Sequence, residues 1–403
     1  MKGYFIFELK QFYKNKKNIA VFALLTFTAL FYAIKLAPAY DPIEKASYDE
    51  IEATYLSRQE FLDKMRGEDL SQYYPAVGYA VSVLTYLNPI DKQRMEALDA
   101  GDLREYAKVT SGWYFDNNSV SFRNELFPYN SRYYITKDRF AEDEAFYSYL
   151  EQYKRYEAYA NGSYDLSTDI FEQRTALQSL ERLLKGPLPY ILIIATLLLT
   201  IDIVTKDLRN PSILKGFPIS DWKRLLVKAS VALIGSITLW LPIVVGLVII
   251  GYQFGFGYFS LPSPVYGYNM VWHSEGKFAE MSLGMFLIRC FLLLAAWIVV
   301  IIVIVLFFSI LFRQEMVNML VGVLIVFGER FYSSRGVGYF WGVEYYPTSY
   351  VQVGNIVSKY QNFYFSSRGL HDMLGLKLLL ASTALILALT LLISLSKRFR
   401  LIK

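Results

Sequence analysis

The chain has 403 residues, of which 54% are hydrophobic and 19% charged, and its formal net charge is +5. Its apolar residues lie in runs close to the ~20 that cross ~30 Å of hydrocarbon, which excludes an ordinary soluble protein. The positive charge is concentrated beside these runs, as in the cytoplasmic segments of membrane proteins, so it points to no nucleic-acid partner.

Residues 1–18 are predicted to form an interfacial helix on the cytoplasmic leaflet. One face of this helix carries the side chains of Phe5, Ile6, Leu9, Phe12 and Tyr13. The first transmembrane helix is predicted at 19–36. The Ala-Pro-Ala tripeptide at 37–39 could imitate a signal-peptidase site, but the apolar run exceeds the usual ~7 to 15 residue signal core, and we favour a retained helix.

Residues 37–187 are too long and too charged for a connecting loop, and their composition favours helices. We predict a mainly helical extracellular domain here. It is rich in tyrosine, which could form an adhesive surface for a peptide or amphiphile, or could pack a core with solvated hydroxyl groups, the reading we favour. The tyrosines concerned include Tyr73, Tyr74, Tyr133, Tyr134, Tyr147, Tyr149, Tyr153, Tyr156 and Tyr159.

Further transmembrane helices are predicted at 188–204, 229–251, 281–312, 316–332 and 375–396, giving an all-α membrane protein with about six spans. The segment at 316–327 is about half a span and could re-enter the membrane instead. Basic clusters precede the first span and follow the second and the last, and the positive-inside rule places all three in the cytoplasm. All three clusters can lie in the cytoplasm only if the number of spans is even. The segment at 316–327 must therefore cross the membrane, with its helix continuing past Gly328 to Tyr332.

The predicted topology therefore has both termini in the cytoplasm, including the tail at 397–403. Residues 252–280 and 333–374 are expected outside, together with the large domain. The sole cysteine, Cys290, lies in a predicted span, so no disulfide holds that domain. A cysteine-free outer domain fits a bacterial plasma membrane best.

The sequence has no catalytic or metal-binding motif. His273 and His371 follow no zinc-ligand spacing, and no G-x-x-x-x-G-K-[ST] phosphate loop is present. We expect no enzymatic activity, metal or cofactor in this chain.

Ionisable residues inside predicted spans are better functional candidates, because a charge in hydrocarbon usually faces protein or water. Asp202 lies near the cytoplasmic end of the second span, where we expect it to pair with Lys206 at i+4. Glu329 and Arg330 are predicted to line a polar cavity.

The loop at 205–228 reads TKDLRNPSILKGFPISDWKRLLVK. It is longer than a turn requires and has its own apolar face, which favours a short surface helix offered to a partner. The loop resembles that of the permease subunit of ABC-2-type ABC exporters, where a leucine, proline and serine stretch ending in lysine joins the second and third spans. Leu214, Pro218, Ser220 and Lys228 occupy those places.

The resemblance implies two permease copies, identical or homologous, and two separate ATPase subunits that bind ATP and Mg²⁺ and seat a coupling helix from each permease. The coupling residues would be Asn210, Pro211, Ile213, Leu214, Lys215, Gly216, Phe217, Pro218 and Ile219. An amphiphilic substrate, peptide-like, lipid-like or drug-like, fits this family, although the large outer domain departs from its minimal members. Two alternatives stay open: the loop could rest on anionic lipid, and the chain could be a sensor or scaffold whose outer domain binds a peptide or envelope ligand.

Overall fold

A computed structural model describes residues 1–134, 141–209, 217, 219–266, 279–332, 342–365 and 367–395. The described residues are 77% helical. Within the described residues, five helices are long and apolar enough to cross a membrane: Lys16–Leu36, Leu188–Asp207, Asp221–Phe254, Leu283–Phe312 and Asp372–Leu395. The predicted class of a helical, membrane-spanning protein is confirmed at this level.

The elements follow one another as α1 (Lys2–Lys14), α2 (Lys16–Phe31, continued by a π-helical turn at Tyr32–Leu36), α3 (Tyr48–Met65), α4 (Pro75–Asp99), α5 (Leu103–Ser121), α6 (Ala141–Asn161), α7 (Thr168–Phe171) and α8 (Ala176–Lys185). The second part of the chain contains α9 (Leu188–Thr200), α10 (Thr205–Arg209), α11 (Asp221–Thr238), α12 (Trp240–Phe254), α13 (Leu283–Phe312), α14 (Glu315–Val326), α15 (Glu329–Tyr332), α16 (Val353–Val357), α17 (Tyr360–Tyr364) and α18 (Asp372–Leu395). We call residues 37–187 the insert. The two ends of the helical bundle are the insert end and, opposite it, the loop end.

The insert is a helical domain built on tyrosine. Its helices α4, α5 and α6 pack side by side, and most of the tyrosines between them have almost no exposed surface. The buried set comprises Tyr106, Tyr114, Tyr129, Tyr133, Tyr147, Tyr149, Tyr156, Tyr159 and Tyr164. Packing is therefore the main use of these residues, as favoured from the sequence, although Tyr73 and Tyr74 are exposed.

A β-hairpin departs from the all-α prediction. Strands β1 (Pro262–Val265) and β2 (Ala279–Ser282) pair antiparallel, with Pro262 opposite Ser282. The hairpin docks on α6 because Arg155 Nη1 donates a hydrogen bond to Pro262 O at 3.1 Å. Strand β1 lies in the segment predicted as an extracellular loop at 252–280, whereas β2 ends at Ser282, inside the helix predicted at 281–312.

The predicted helix at 316–332 is wrong in its continuity. Helix α14 ends at Val326, and α15 begins after a break at Phe327 and Gly328. The break lets the chain approach another segment closely, since a Cβ on Gly328 would lie 2.9 Å from Thr348 Cγ2. Tyr332 Oη, in α15, then shares a 2.7 Å hydrogen bond with Thr348 Oγ1.

Helix α14 runs antiparallel to the second apolar helix along most of its length. At the loop end, Thr205 Oγ1 donates to Glu315 Oε1 at 3.1 Å. One turn further, Asn318 Nδ2 donates to Ile201 O at 2.8 Å. At the insert end, the Phe327 ring stacks on that of Tyr190 with centroids 5.7 Å apart. Helix α14 and the residue that follows it therefore contact the Leu188–Asp207 helix from its loop end to its insert end.

Candidate functional site

Helix α1 is packed against α11 at the loop end. Its buried side chains are Tyr4, Glu8 and Phe12, spaced i, i+4 and i+8. The apolar face predicted from Phe5 and Leu9 is only partly buried, and Ile6 is exposed. Phe12 of the predicted apolar face belongs to the buried stripe, which also includes the carboxylate of Glu8. Gly235 of α11 accommodates the stripe, since a Cβ there would overlap the Phe12 ring.

A four-charge cluster, formed by Glu8, Lys206, Asp207 and Lys228, lies beneath α1. The Nζ atom of Lys228, a fully buried residue, is 2.8 Å from Glu8 Oε1 and 2.8 Å from Asp207 Oδ2. It also donates to Ile203 O at 2.7 Å. Lys206 Nζ is 3.0 Å from Glu8 Oε2. Two carboxylates therefore balance two ammonium groups, with Glu8 and Lys228 buried and Lys206 and Asp207 partly exposed.

The cluster sets the ionisation of Glu8. Burial alone would raise the pKa of this carboxyl, but the Lys228 and Lys206 ammonium groups outweigh it and hold the pKa below the ordinary 4.5. Glu8 is therefore charged at neutral pH. A buried charge that loses its partner costs much more than a surface charge does, so the four residues act as a unit.

Asp202 is bound by the start of α2, not by Lys206 as predicted. Lys17 Nζ forms an ion pair with Asp202 Oδ1 and also donates to Leu198 O at 2.6 Å. Asn15 Nδ2 donates to Asp202 Oδ2 at 2.9 Å. The predicted pair was wrong because the first turn of α2 occupies the carboxylate, and Lys206 reaches Glu8 instead.

Most of the predicted coupling residues lie outside the described residues: Asn210, Pro211, Ile213, Leu214, Lys215, Gly216 and Pro218. Phe217 and Ile219 are described, and both are partly buried. The Phe217 ring packs on Tyr4 and Phe7 of α1, with centroid separations of 5.2 and 5.5 Å. Arg224 Nη2 donates to Phe217 O at 2.7 Å. The exit of the loop is thus held by both α1 and α11.

A second polar site, at the insert end, surrounds Glu329. Its carboxylate is 1% exposed and accepts hydrogen bonds from neutral groups. Gln352 Nε2 and Gln361 Nε2 donate to Oε1 at 2.9 and 2.8 Å, and Tyr190 Oη donates to Oε2 at 3.4 Å. This arrangement ties α9, α15 and the 352–361 segment together.

The structure does not bring the three predicted intramembrane polar residues together. Glu329 contacts Tyr190 near the first turn of α9, whereas Asp202 lies about 18 Å further along at 1.5 Å per residue. Arg330 is exposed, unlike its buried neighbour. The polar candidates therefore form two separate sites, one at each end of the bundle.

Sequence reasoning missed Glu8 as a site residue and named Lys228 only as the lysine that ends the loop motif. Glu8 is the only acidic residue among the first 40, and it stands between Tyr4 and Phe12 on one helical face. An isolated acid on an apolar stripe needs a cationic partner, and this was the available signal. No local signal identified the partner, because Lys228 is 220 residues away.

Among the described residues, no group of three or more His, Cys, Asp or Glu side chains is placed to hold a metal ion. The chemistry available at both sites is charge pairing and hydrogen bonding. No protein-family model, curated protein or solved structure matches the chain.

Proposed function

We propose that the chain is the permease subunit of an ATP-driven ABC-2-type exporter, working with two separate ATPase subunits and a second permease copy. The observation that carries the proposal is the way the two ends of the 205–228 loop are attached to each other and to α1. Asp207 on its entering side and Lys228 on its exit side are ion-paired at 2.8 Å, and Glu8 joins them to α1. We call these two ends of the loop its stems. A basic loop whose stems are fixed in this way suits the transmission of force from a partner.

The stems are connected to three of the apolar helices. Lys228 belongs to α11, Asp207 follows α9, and Asp202 fixes the end of α9 to the start of α2 through Lys17. A displacement of the loop would therefore move these helices together. In our proposal, ATP-driven closure of the ATPase subunits pushes the two loops together and rocks the helices, so that substrate is released on the opposite side.

The proposal places the chain in a bacterial plasma membrane, with the loop end in the cytoplasm and the insert outside. It has six crossings, of which α14 followed by α15 is the fifth. The antiparallel contacts between α14 and the Leu188–Asp207 helix support this, because they begin at Thr205 near one end and finish at Tyr190 near the other. Both termini would then lie in the cytoplasm.

The cargo in this proposal is an amphiphile, whether peptide-like, lipid-like or drug-like. Glu329 and Arg330 would be the polar groups nearest its exit, and Asp202 would lie at its entrance. ATP and Mg²⁺ would bind only to the partner subunits. Nine of the 18 insert tyrosines are buried, which removes part of the surface that the sensor alternative would use.

The test is co-purification with the ATPase in a gentle detergent. Ile213→Asp with Lys215→Glu lowers the loop's formal charge from +4 to +1 and breaks its apolar face while leaving Phe217 on α1. We expect loss of the ATPase from the purified complex, with unchanged expression. Lys10→Glu is the matched control, since Lys10 is an exposed lysine of α1 at the same end. Retained ATPase in the loop variant, or recovery of a kinase instead, would reject the proposal.

A further inference from the structure

Helix α8 separates two cavities at the insert end. On one side, an apolar cavity of about 360 Å³ lies between α2, α9 and α12. On the other, a polar cavity of about 310 Å³ is bounded by α6, α8 and the 355–360 segment. Arg182 lines both cavities. An apolar cavity and a polar cavity that share one cation are suited to binding the two parts of an amphiphile.

The apolar cavity opens sideways at the surface of the helical bundle. Its walls include Leu25, Ala29, Leu36, Leu188, Ile191 and Leu247. Phe31 and Leu36 at its rim are 47% and 51% exposed, so the cavity faces the surroundings of the apolar helices. In a membrane those surroundings are acyl chains, and Arg182 is the one charged side chain among the described residues of the lining.

Arg182 has no carboxylate partner within ion-pair distance among the described residues. Its guanidinium lies 3.8 Å from the centre of the Tyr40 ring, and it donates to Gln173 O and, at 3.1 Å, to Ser179 Oγ. These contacts are neutral and leave most of the five N–H donors of the arginine side chain available. The positive charge is therefore held in place but not neutralised.

The other cations of the polar cavity are paired with carboxylates. Arg155 Nη2 is 3.0 Å from Glu151 Oε1, and Lys185 Nζ is 2.9 Å from Glu181 Oε1. With two carboxylates for three cations, the charge left over belongs to Arg182. Charge complementarity thus calls for one anionic group there, and a phosphate matches the planar donors of a guanidinium well.

We propose that the two cavities bind one anionic phospholipid, with the phosphate on Arg182, the remainder of the headgroup in the polar cavity and an acyl chain in the apolar one. The site lies on α8 and the insert ends of three helices, away from the loop. The lipid-binding proposal can therefore be rejected without rejecting the transport function proposed above.

The experiment is native mass spectrometry of the full-length protein, released from detergent after incubation with defined lipids. Phosphatidylglycerol and phosphatidylcholine with identical acyl chains are compared. We expect one tightly retained phosphatidylglycerol and about tenfold weaker retention of phosphatidylcholine, because both lipids carry the phosphate but only phosphatidylcholine would place a cation beside Arg155 and Lys185 in the polar cavity. Equal retention of the two lipids would overturn the proposal without any mutation.

Variants locate the site. Arg182→Gln should lower phosphatidylglycerol retention about tenfold, Arg182→Lys should lower it less, and Ile191→Phe should displace both lipids by filling the apolar cavity. Arg289→Gln is the matched control, since Arg289 lies at the same end but has a carboxylate neighbour, Asp372, at 3.7 Å. Retention unchanged by Arg182→Gln, or reduced as much by Arg289→Gln, rejects the site. Recovery of a bound peptide in place of lipid also rejects it.

Discussion

The Glu8 carboxylate and the Lys228 ammonium group meet at 2.8 Å across 220 residues of sequence, in a site that neither shares with water. This pair makes the N-terminal helix part of the bundle. Without it, α1 would remain attached mainly by aromatic packing, including Tyr4 on Phe217. The contact also joins α1 to the exit of the loop.

Removing the Lys228 charge should destabilise the protein strongly. Lys228→Met leaves Glu8 and Asp207 with only Lys206 to balance them, and breaking a buried ion pair in this way costs about 3 kcal/mol or more. The measurement is the free energy of unfolding in an SDS titration of the purified protein. Lys223→Met, at a partly buried lysine one turn earlier, should change it by less than about 0.5 kcal/mol.

The double variant Glu8→Met with Lys228→Met sharpens this prediction. It leaves one carboxylate, Asp207, and one ammonium group, Lys206, so the charges balance again. Its loss should be smaller than the sum of the two single losses by about 1 kcal/mol or more. Additive losses would show that the pair is not coupled.

Acidification should weaken the same cluster. The pKa of Glu8 is lowered in the folded protein, because Lys228 and Lys206 outweigh the effect of burial. A carboxyl group whose pKa is lowered on folding stabilises the protein at pH values above its pKa in the unfolded chain, here about 4.5. This stabilisation is lost as the pH falls through the pKa of the group in the folded protein. The unfolding free energy of the wild type relative to Glu8→Gln should thus stay constant above about pH 5 and shrink below pH 4.5.

The control for this pH profile is Glu105→Gln, which removes a carboxylate that is 48% exposed in the insert. Its stability relative to the wild type should vary little over the same range. An equal trend in both variants would mean that general acid unfolding, rather than the Glu8 cluster, sets the profile.

The helical, membrane-spanning class of the protein followed from the sequence because it depends on local composition. Among the described residues, two of the apolar helices run from Leu188 to Asp207 and from Leu283 to Phe312. Pairings could not be obtained in this way. Lys17 and Asp202 are 185 residues apart, and the i+4 partner offered by the local sequence was the wrong one. Long-range packing chose between two plausible lysines.

Gly328 illustrates the same limit within one helix. The apolar pattern around it is compatible with a continuous helix, but the close approach of Thr348 to Gly328 depends on a segment 20 residues later. The break turns Glu329 toward Gln352 and Gln361, which no local pattern encodes. Sequence reasoning chose Glu329 as a residue lining a polar cavity but could not supply its hydrogen-bond partners.

Glu329 should tolerate loss of its charge better than loss of its hydrogen-bonding capacity. In Glu329→Gln, the side-chain oxygen can still accept from both glutamines, and the new amide can donate to Tyr190 Oη. Glu329→Leu instead leaves buried amide donors unpaired, at about 1–3 kcal/mol each. We expect a loss below about 1 kcal/mol for the first variant and above about 3 kcal/mol for the second, measured by SDS titration. Arg330→Gln, at the exposed neighbour, should have little effect. If Glu329→Gln is as damaging as Glu329→Leu, the negative charge itself is required, and a cation must approach this carboxylate in the native protein.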